Sequence, residues 1–138
     1  MDDADIARAL RACRRFAVVG ASPDPWRPSH GVTRTLLAAG YECVPVNPNA
    51  EEVLGMRCWA SLEAAVSGVG RVDIVDVFRR PEHAPSIARS AVAVGARVLW
   101  LQLGVVNWEA AEIASAAGLD VVMDRCTAIE LRGMRAGQ

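Results

Sequence analysis

The residues 20–29 read GASPDPWRPS and follow directly on the apolar run Phe16–Val19. Gly20 permits a tight turn, and Ala21 and Ser22 can present backbone N–H groups to an anion. A helix starting near Ser29 adds its orphan donors and the positive end of its dipole. Arg27 contributes a fixed charge and a fork of donors suited to phosphate. Together these groups could hold a phosphate without any lysine. The same residues also make an ordinary stiff loop, in which a glycine turns, prolines restrain the excursion and Ser29 caps a helix. Residues elsewhere in the chain must separate the two readings.

Other positions carry chemistry of the same kind. Phe78-Arg79-Arg80-Pro81 sets two arginines in a turn. Adjacent side chains seldom face one ligand, so Arg79 is the expected contact, with Phe78 closing over a flat ring. Gln102-Leu103-Gly104 offers an amide and a close backbone approach, although a turn alone accounts for the glycine. Cys126 follows Asp124-Arg125 at the expected start of a helix, where thiolate character can rise, and is the candidate nucleophile. Its plain alternative is an inert buried thiol, since no histidine lies near it in sequence. His30 and His83 stand singly at loop–helix junctions and do not form a pair. Trp100 reads as core.

Absent features narrow the chemistry further. The spacing G-x-G-x-x-G is missing, and Asn47-Pro48 stands where a dinucleotide site would place a carboxylate for a ribose hydroxyl. Hydride transfer is therefore poorly supported, and an NADP-dependent reductase with Arg27 or Arg79 on the 2′-phosphate is the weaker alternative. All 15 basic residues are arginine, which excludes lysine Schiff-base chemistry and a P-loop lysine. The net charge of −1 gives no electrostatic reason to expect nucleic acid. Four cysteines without CxxC spacing, and only two histidines, argue against a metal site. Disulfides are not expected, and Cys13 and Cys43 read as small core residues. No apolar run approaches the roughly 20 residues of a membrane span. The acidic, amphipathic N-terminus does not read as a secretory signal, so the cytoplasm is the expected compartment.

The elements that must position these residues follow from the apolar pattern. A helix is expected over Asp5–Arg14, then strands at Phe16–Gly20, Tyr41–Val46, Arg71–Phe78, Val98–Leu103 and Leu119–Met123. Helices between them end at Gly40, Gly95 and Gly118, and a last one covers Thr127–Met134. Ser61 and Asn107 read as N-caps, and Pro81 as a helix start that Pro85 could shift. Pro45 inside the second strand demands an edge position or a bulge. The pattern is an extra N-terminal helix followed by about five β–α units over residues 1–138, one α/β domain. A doubly wound, Rossmann-like parallel sheet results, with strand order 3-2-1-4-5 expected. Ligands of such sheets lie outside the carboxyl ends of the strands, which is where all the loops above fall.

With these segments in order, the chain resembles the small stand-alone CoA-binding proteins of the Rossmann type, related to the CoA-binding domain of the succinyl-CoA synthetase α-subunit. The segments are GASPDPWRPSHGV, GYECVPVNP, LGMRCWASL, VDIVDVFRRPE, VLWLQLGVVN and GLDVVMDRC, from about residue 14 to about residue 132. The resemblance implies coenzyme A as cofactor. Gly20, Ala21, Ser22, Arg27 and Ser29 would hold the pyrophosphate, and Asn47 and Pro48 would border the nucleotide with Phe78 and Arg79. Gln102 and Gly104 would flank the pantetheine arm, with Cys126 towards its thiol end. The synthetase relatives carry a phosphorylated histidine in a separate domain that a chain of 138 residues has no room for. The expected function is CoA or acyl-CoA binding without an evident acid–base pair. The alternative is a thiol or acyl-CoA enzyme, or a redox switch, at Cys126. A homo-oligomer or a protein partner is compatible with either.

Overall fold

The structure, a computed structural model, describes residues 1–136; the last two residues of the expected domain lie outside the described residues. Helix α1 (Asp3–Ala12) opens on a reciprocal cap between Asp2 and Asp5. Strand β1 (Arg15–Val19) leads to α2 (Pro28–Ala38), and β2 (Glu42–Val46) to a small antiparallel hairpin of β3 (Glu52–Val53) and β4 (Met56–Arg57). Then come α3 (Leu62–Val69), β5 (Ile74–Val77), α4 (Ala84–Ala93), β6 (Val98–Leu101), α5 (Trp108–Ala116), β7 (Asp120–Met123) and α6 (Thr127–Ala136). The hairpin was not anticipated, because two-residue strands carry too little periodicity to read. Its turn rests on Leu54 and Gly55, both at positive φ (52° and 77°). Ser61 and Asn107 accept from Ala64 N–H and Ala110 N–H, as expected of N-caps. A short 3₁₀ turn at Pro81–His83 precedes α4, so Pro85 does shift the helix start.

The five long strands form one parallel sheet in the order β2-β1-β5-β6-β7. Numbered by succession this is 2-1-3-4-5, which corrects the expected 3-2-1-4-5. The reason lies in Pro45. In the expected order the second strand would sit between two neighbours, and a proline there would leave a ladder position without a donor. In the observed order β2 is an edge strand, and its outer side receives only the connection after β4. There Trp59 N–H donates to Pro45 O and Asn47 N–H to Trp59 O, both at 2.9 Å. Placing β2 outside moves the switch point to the junction of β1 and β5.

Alternation along the strands divides the core into two layers. Phe16, Val18, Ile74 and Trp100 face α1, α2 and α6 with Ile6, Leu10, Leu36 and Leu131. Ala17, Val19, Val75, Leu99 and Leu101 face the alanine-rich helices α3, α4 and α5. Each large apolar side chain sealed in these layers contributes about 1.5–3 kcal/mol. Small alanines let α4 and α5 approach the sheet closely.

The amino ends of the strands are stitched. Asp73 accepts from the N–H groups of Arg14 (2.9 Å) and Arg15 (3.0 Å). The Arg15 guanidinium reaches the Val69 and Arg71 carbonyls at 2.8 and 3.0 Å. The carboxyl ends, by contrast, open outward into loops.

Candidate functional site

A cavity of about 620 Å³ lies at the carboxyl ends of the strands. Its walls come from the loops after β1, β2, β5, β6 and β7 and from the start of α2. The β1 and β5 loops meet closely because Gly20 has no side chain. At φ +91° a Cβ on Gly20 would stand 3.0 Å from Arg79 Cδ and 3.1 Å from the Phe78 carbonyl carbon and oxygen. Asn47 joins a third loop to this junction by donating from Nδ2 to Ala21 O at 2.7 Å. Its Oδ1 accepts from Asn49 N–H at 2.9 Å, which turns Asn49 towards the cavity.

Nine of the twelve residues expected at the site line this cavity: Gly20, Ser22, Arg27, Ser29, Asn47, Phe78, Arg79, Gln102 and Cys126. Ala21 is buried behind the wall, where its carbonyl takes the Asn47 amide. Pro48 opens on a neighbouring hollow, which it shares with Gly20 and Arg79. Gly104 stands between the lining residues Leu103 and Val105, and its N–H is committed to Asp124 Oδ1 at 2.8 Å. Arg80, passed over for Arg79 as the expected contact, also lines the wall, exposed beside it. The backbone at Arg80 (φ −59°, ψ 149°) is extended as the chain leaves the strand and curls around the cavity before the 3₁₀ turn.

The cap of α2 falls two residues earlier than the expected Ser29. Arg27 occupies the cap position and Pro28 the first turn, so Ser29 lies inside the helix rather than capping it. A proline at that position loses no needed N–H and has the right φ already. The first turn carries no acidic residue and no side-chain cap, which leaves its positive end uncompensated. The N–H groups of Ala21 and Ser22 have no acceptor among the described residues.

Three arginines (Arg27, Arg79, Arg80) line the cavity, and among the described residues no carboxylate or imidazole does. This concentrates positive charge in a chain whose net charge is −1. An anion is what such a wall attracts. Phe78 and Val105 supply an apolar strip next to it.

Below the floor lies a buried polar cluster that sequence reading missed. Asp76, on β5 between Val18 and Trp100 in register, is fully buried. Its Oδ1 accepts from Gln102 Nε2 at 2.5 Å and its Oδ2 from Thr127 Oγ1 at 3.0 Å. Burial pushes the Asp76 carboxyl up to about 7, against the two hydrogen bonds that lower it. Within an otherwise apolar strand, Asp76 was the available signal.

Cys126 is half-buried on the cavity wall. The neighbouring Arg125 does not turn its charge to the thiol alone: it pairs with Asp3 at 2.8 Å and Glu130 at 2.9 Å. The other three thiols are buried, and burial raises each of them, Cys43 to about 12. Trp100 is core, as expected, and donates from Nε1 to Arg125 O at 2.8 Å, pinning the loop that carries Cys126. Trp26 projects from the β1 loop with 93% of its surface exposed.

Residues 14–132 match a family described as a CoA binding domain. Protein YneT of Bacillus subtilis (strain 168) is 42% identical over 123 residues, covering 89% of each chain. Among solved structures, a hypothetical protein of Pyrococcus horikoshii OT3 superimposes with a TM-score of 0.92 at 36% identity, covering 98% of this chain and 93% of that one. A dinucleotide-forming acetyl-coenzyme A synthetase of Ca. Korarchaeum cryptofilum, solved with phosphate and ADP, superimposes with a TM-score of 0.68 at 25% identity. The likeness covers 83% of this chain but 27% of that enzyme.

Proposed function

The chain belongs to the CoA-binding domain family, and from that premise we propose that it holds coenzyme A or an acyl-CoA in the cavity at the carboxyl ends of β1, β5 and β6. The observation that carries this reading is a wall with three arginines and, among the described residues, no carboxylate, set beside two backbone N–H groups without an acceptor there and an uncapped helix start. CoA presents a pyrophosphate and a ribose phosphate, and both need such partners. In this reading Gly20, Ala21, Ser22, Arg27 and Ser29 hold the pyrophosphate. Asn47 and Pro48 border the nucleotide, with Phe78 and Arg79 beside it. Gln102 and Gly104 flank the pantetheine arm, and Cys126 lies towards the thiol. Arg80 is added to the phosphate-binding set on the strength of its place in the wall.

The protein then acts as a binding module, for carriage or sensing of CoA. Isothermal titration with CoA, dephospho-CoA, NADP and ATP at one fixed ionic strength tests it. CoA is expected to bind in the micromolar range or tighter and ahead of the others. No binding of CoA in that range overturns the reading, and tighter binding of NADP would favour a reductase.

A second reading is favoured by the half-exposed Cys126 on the same wall. Its thiolate would attack CoA disulfide, forming one S–S bond to CoA and releasing the other CoA as thiolate. Mass spectrometry of the intact protein should then show one CoA adduct, lost in Cys126→Ala. An adduct that persists in that variant excludes the role.

A further inference from the structure

The hydrogen bonds beneath the cavity floor fix more than a fold. The two Nε2 protons of Gln102 are both spent below the floor, one on Asp76 Oδ1 (2.5 Å) and one on Thr127 Oγ1 (3.0 Å). Thr127 gives its own proton to Asp76 Oδ2 (3.0 Å), so its oxygen is free only to accept. With Asp76 ionised, as it is above pH about 7, the donor and acceptor assignment is consistent around the triangle and leaves one orientation for the amide. Gln102 is also a lining residue of the cavity. Its Oε1 takes no hydrogen bond from the described residues, yet it is not sealed away. The single buried side-chain nitrogen or oxygen without a partner among them is His30 Nδ1. The amide oxygen thus belongs to the cavity surface and can accept from a ligand.

We propose that Asp76, with Thr127, is a positioning residue that holds the Gln102 amide oxygen towards the cavity, making this wall selective for a ligand that brings an N–H donor. The inference rests on the reading of the site as a CoA site and deepens it. Past the phosphates, the pantetheine arm of CoA carries two secondary amides, each with one N–H. A wall built for anions near Arg27 and Arg79 would then change character near Gln102, from donor to acceptor. One stretch would read phosphate and the next would read amide.

The test uses the whole protein and two readouts. First, CoA is compared with analogues in which one or the other pantetheine amide N–H is replaced by an ester oxygen. The wild type should bind CoA about 2- to 12-fold more tightly than one of the two analogues, the worth of one neutral hydrogen bond. Asp76→Asn can donate to Gln102 Oε1 and turn the amide round, so that preference should vanish or reverse. Thr127→Val, which keeps the Asp76 contact, should retain part of it. Equal preference in the wild type and both variants, with CoA bound, overturns the positioning role and leaves the CoA reading standing.

Second, nuclear magnetic resonance of the ligand-free protein reads the amide directly, and Gln102 is one of only two glutamines in the sequence. Its two Nε2 protons should exchange slowly with solvent in the wild type and fast in Asp76→Asn. Fast exchange in the wild type overturns the proposal whatever happens to CoA. If CoA does not bind the wild type, the CoA reading falls and this exchange measurement alone decides the positioning role.

Discussion

Arg27, Arg79 and Arg80 are expected to act as charge-assisted donors, each worth about 1.5–3 kcal/mol to a phosphate. Arg79→Ala or Arg27→Ala should therefore weaken CoA binding by at least about tenfold in a calorimetric titration. Arg79→Lys should recover only part of that loss, because an ammonium lacks the fork. Gly20→Ala should cost more than the single residue suggests. Its φ of +91° disfavours a side chain, and the new Cβ meets Phe78 main chain at 3.1 Å. A loss above about 1 kcal/mol in urea unfolding is expected, together with weaker CoA binding, since Phe78 and Arg79 are what must move. The thiols offer a separate check. Cys126 should be alkylated well before Cys13, Cys43 and Cys58, which burial keeps protonated. Bound CoA should slow that labelling, as peptide mass mapping would show. Most of these residues could be found from sequence because a Gly, an Arg and a strand-end Cys announce themselves. Arg80, Asn49 and Asp76 could not be. The first two depend on how a turn curls in space. The third takes its meaning from Gln102 and Thr127, 26 and 51 residues away in the chain.

At the scale of elements, the strand positions were legible because each is a short apolar run ended by a turn residue. Their order was only half legible. Pro45 signalled an edge strand or a bulge, and only the edge alternative excludes the order 3-2-1-4-5, in which that strand is flanked on both sides. The hairpin β3–β4 was invisible for a different reason. It is held by the turn at Leu54-Gly55 and by Trp59, not by a hydrophobic pattern of its own. The outer end of the Trp59 ring reaches α3 at Gly68, which leaves the room: a Cβ there would fall 2.0 Å from the ring. The Arg57 guanidinium covers the ring at 3.8 Å. Gly68→Ala should therefore expel Trp59 and destabilise the protein by about 1–3 kcal/mol in a denaturant titration. The change should be felt at Asn47 too, whose N–H bonds to Trp59 O. Asn107→Ala removes both the α5 cap and a bond to Pro81 O at 3.0 Å, and about 1 kcal/mol should be lost.

The molecule as a whole is stitched at one end of its sheet and open at the other, and Asp73 and Asp76 respond to pH in opposite senses. Burial works against the charge on Asp73, but the N–H groups of Arg14 and Arg15 outweigh it and lower its pKa. Its contribution is present above the unfolded value near 3.8 and is lost as pH falls through its lower folded value. Asp76 behaves conversely. Its folded pKa of about 7 exceeds the unfolded 3.8, so the native state binds the extra proton in that window and stability falls as pH rises through it. The expected result is greatest stability in mildly acidic solution and a decline towards pH 8, with a ceiling of roughly 4 kcal/mol on the Asp76 part. Asp76→Asn should abolish that decline in urea titrations run from pH 5 to 8. The tryptophans give the same molecule an optical handle. Trp100, sealed between the layers, must emit at short wavelength, whereas Trp26, standing in water beside Arg27, must emit at the red edge. Trp108 is exposed as well, so in Trp108→Phe a nucleotide settling on the β1 loop should quench and blue-shift the red component, giving the protein its own colour-resolved report of whether the cavity is filled.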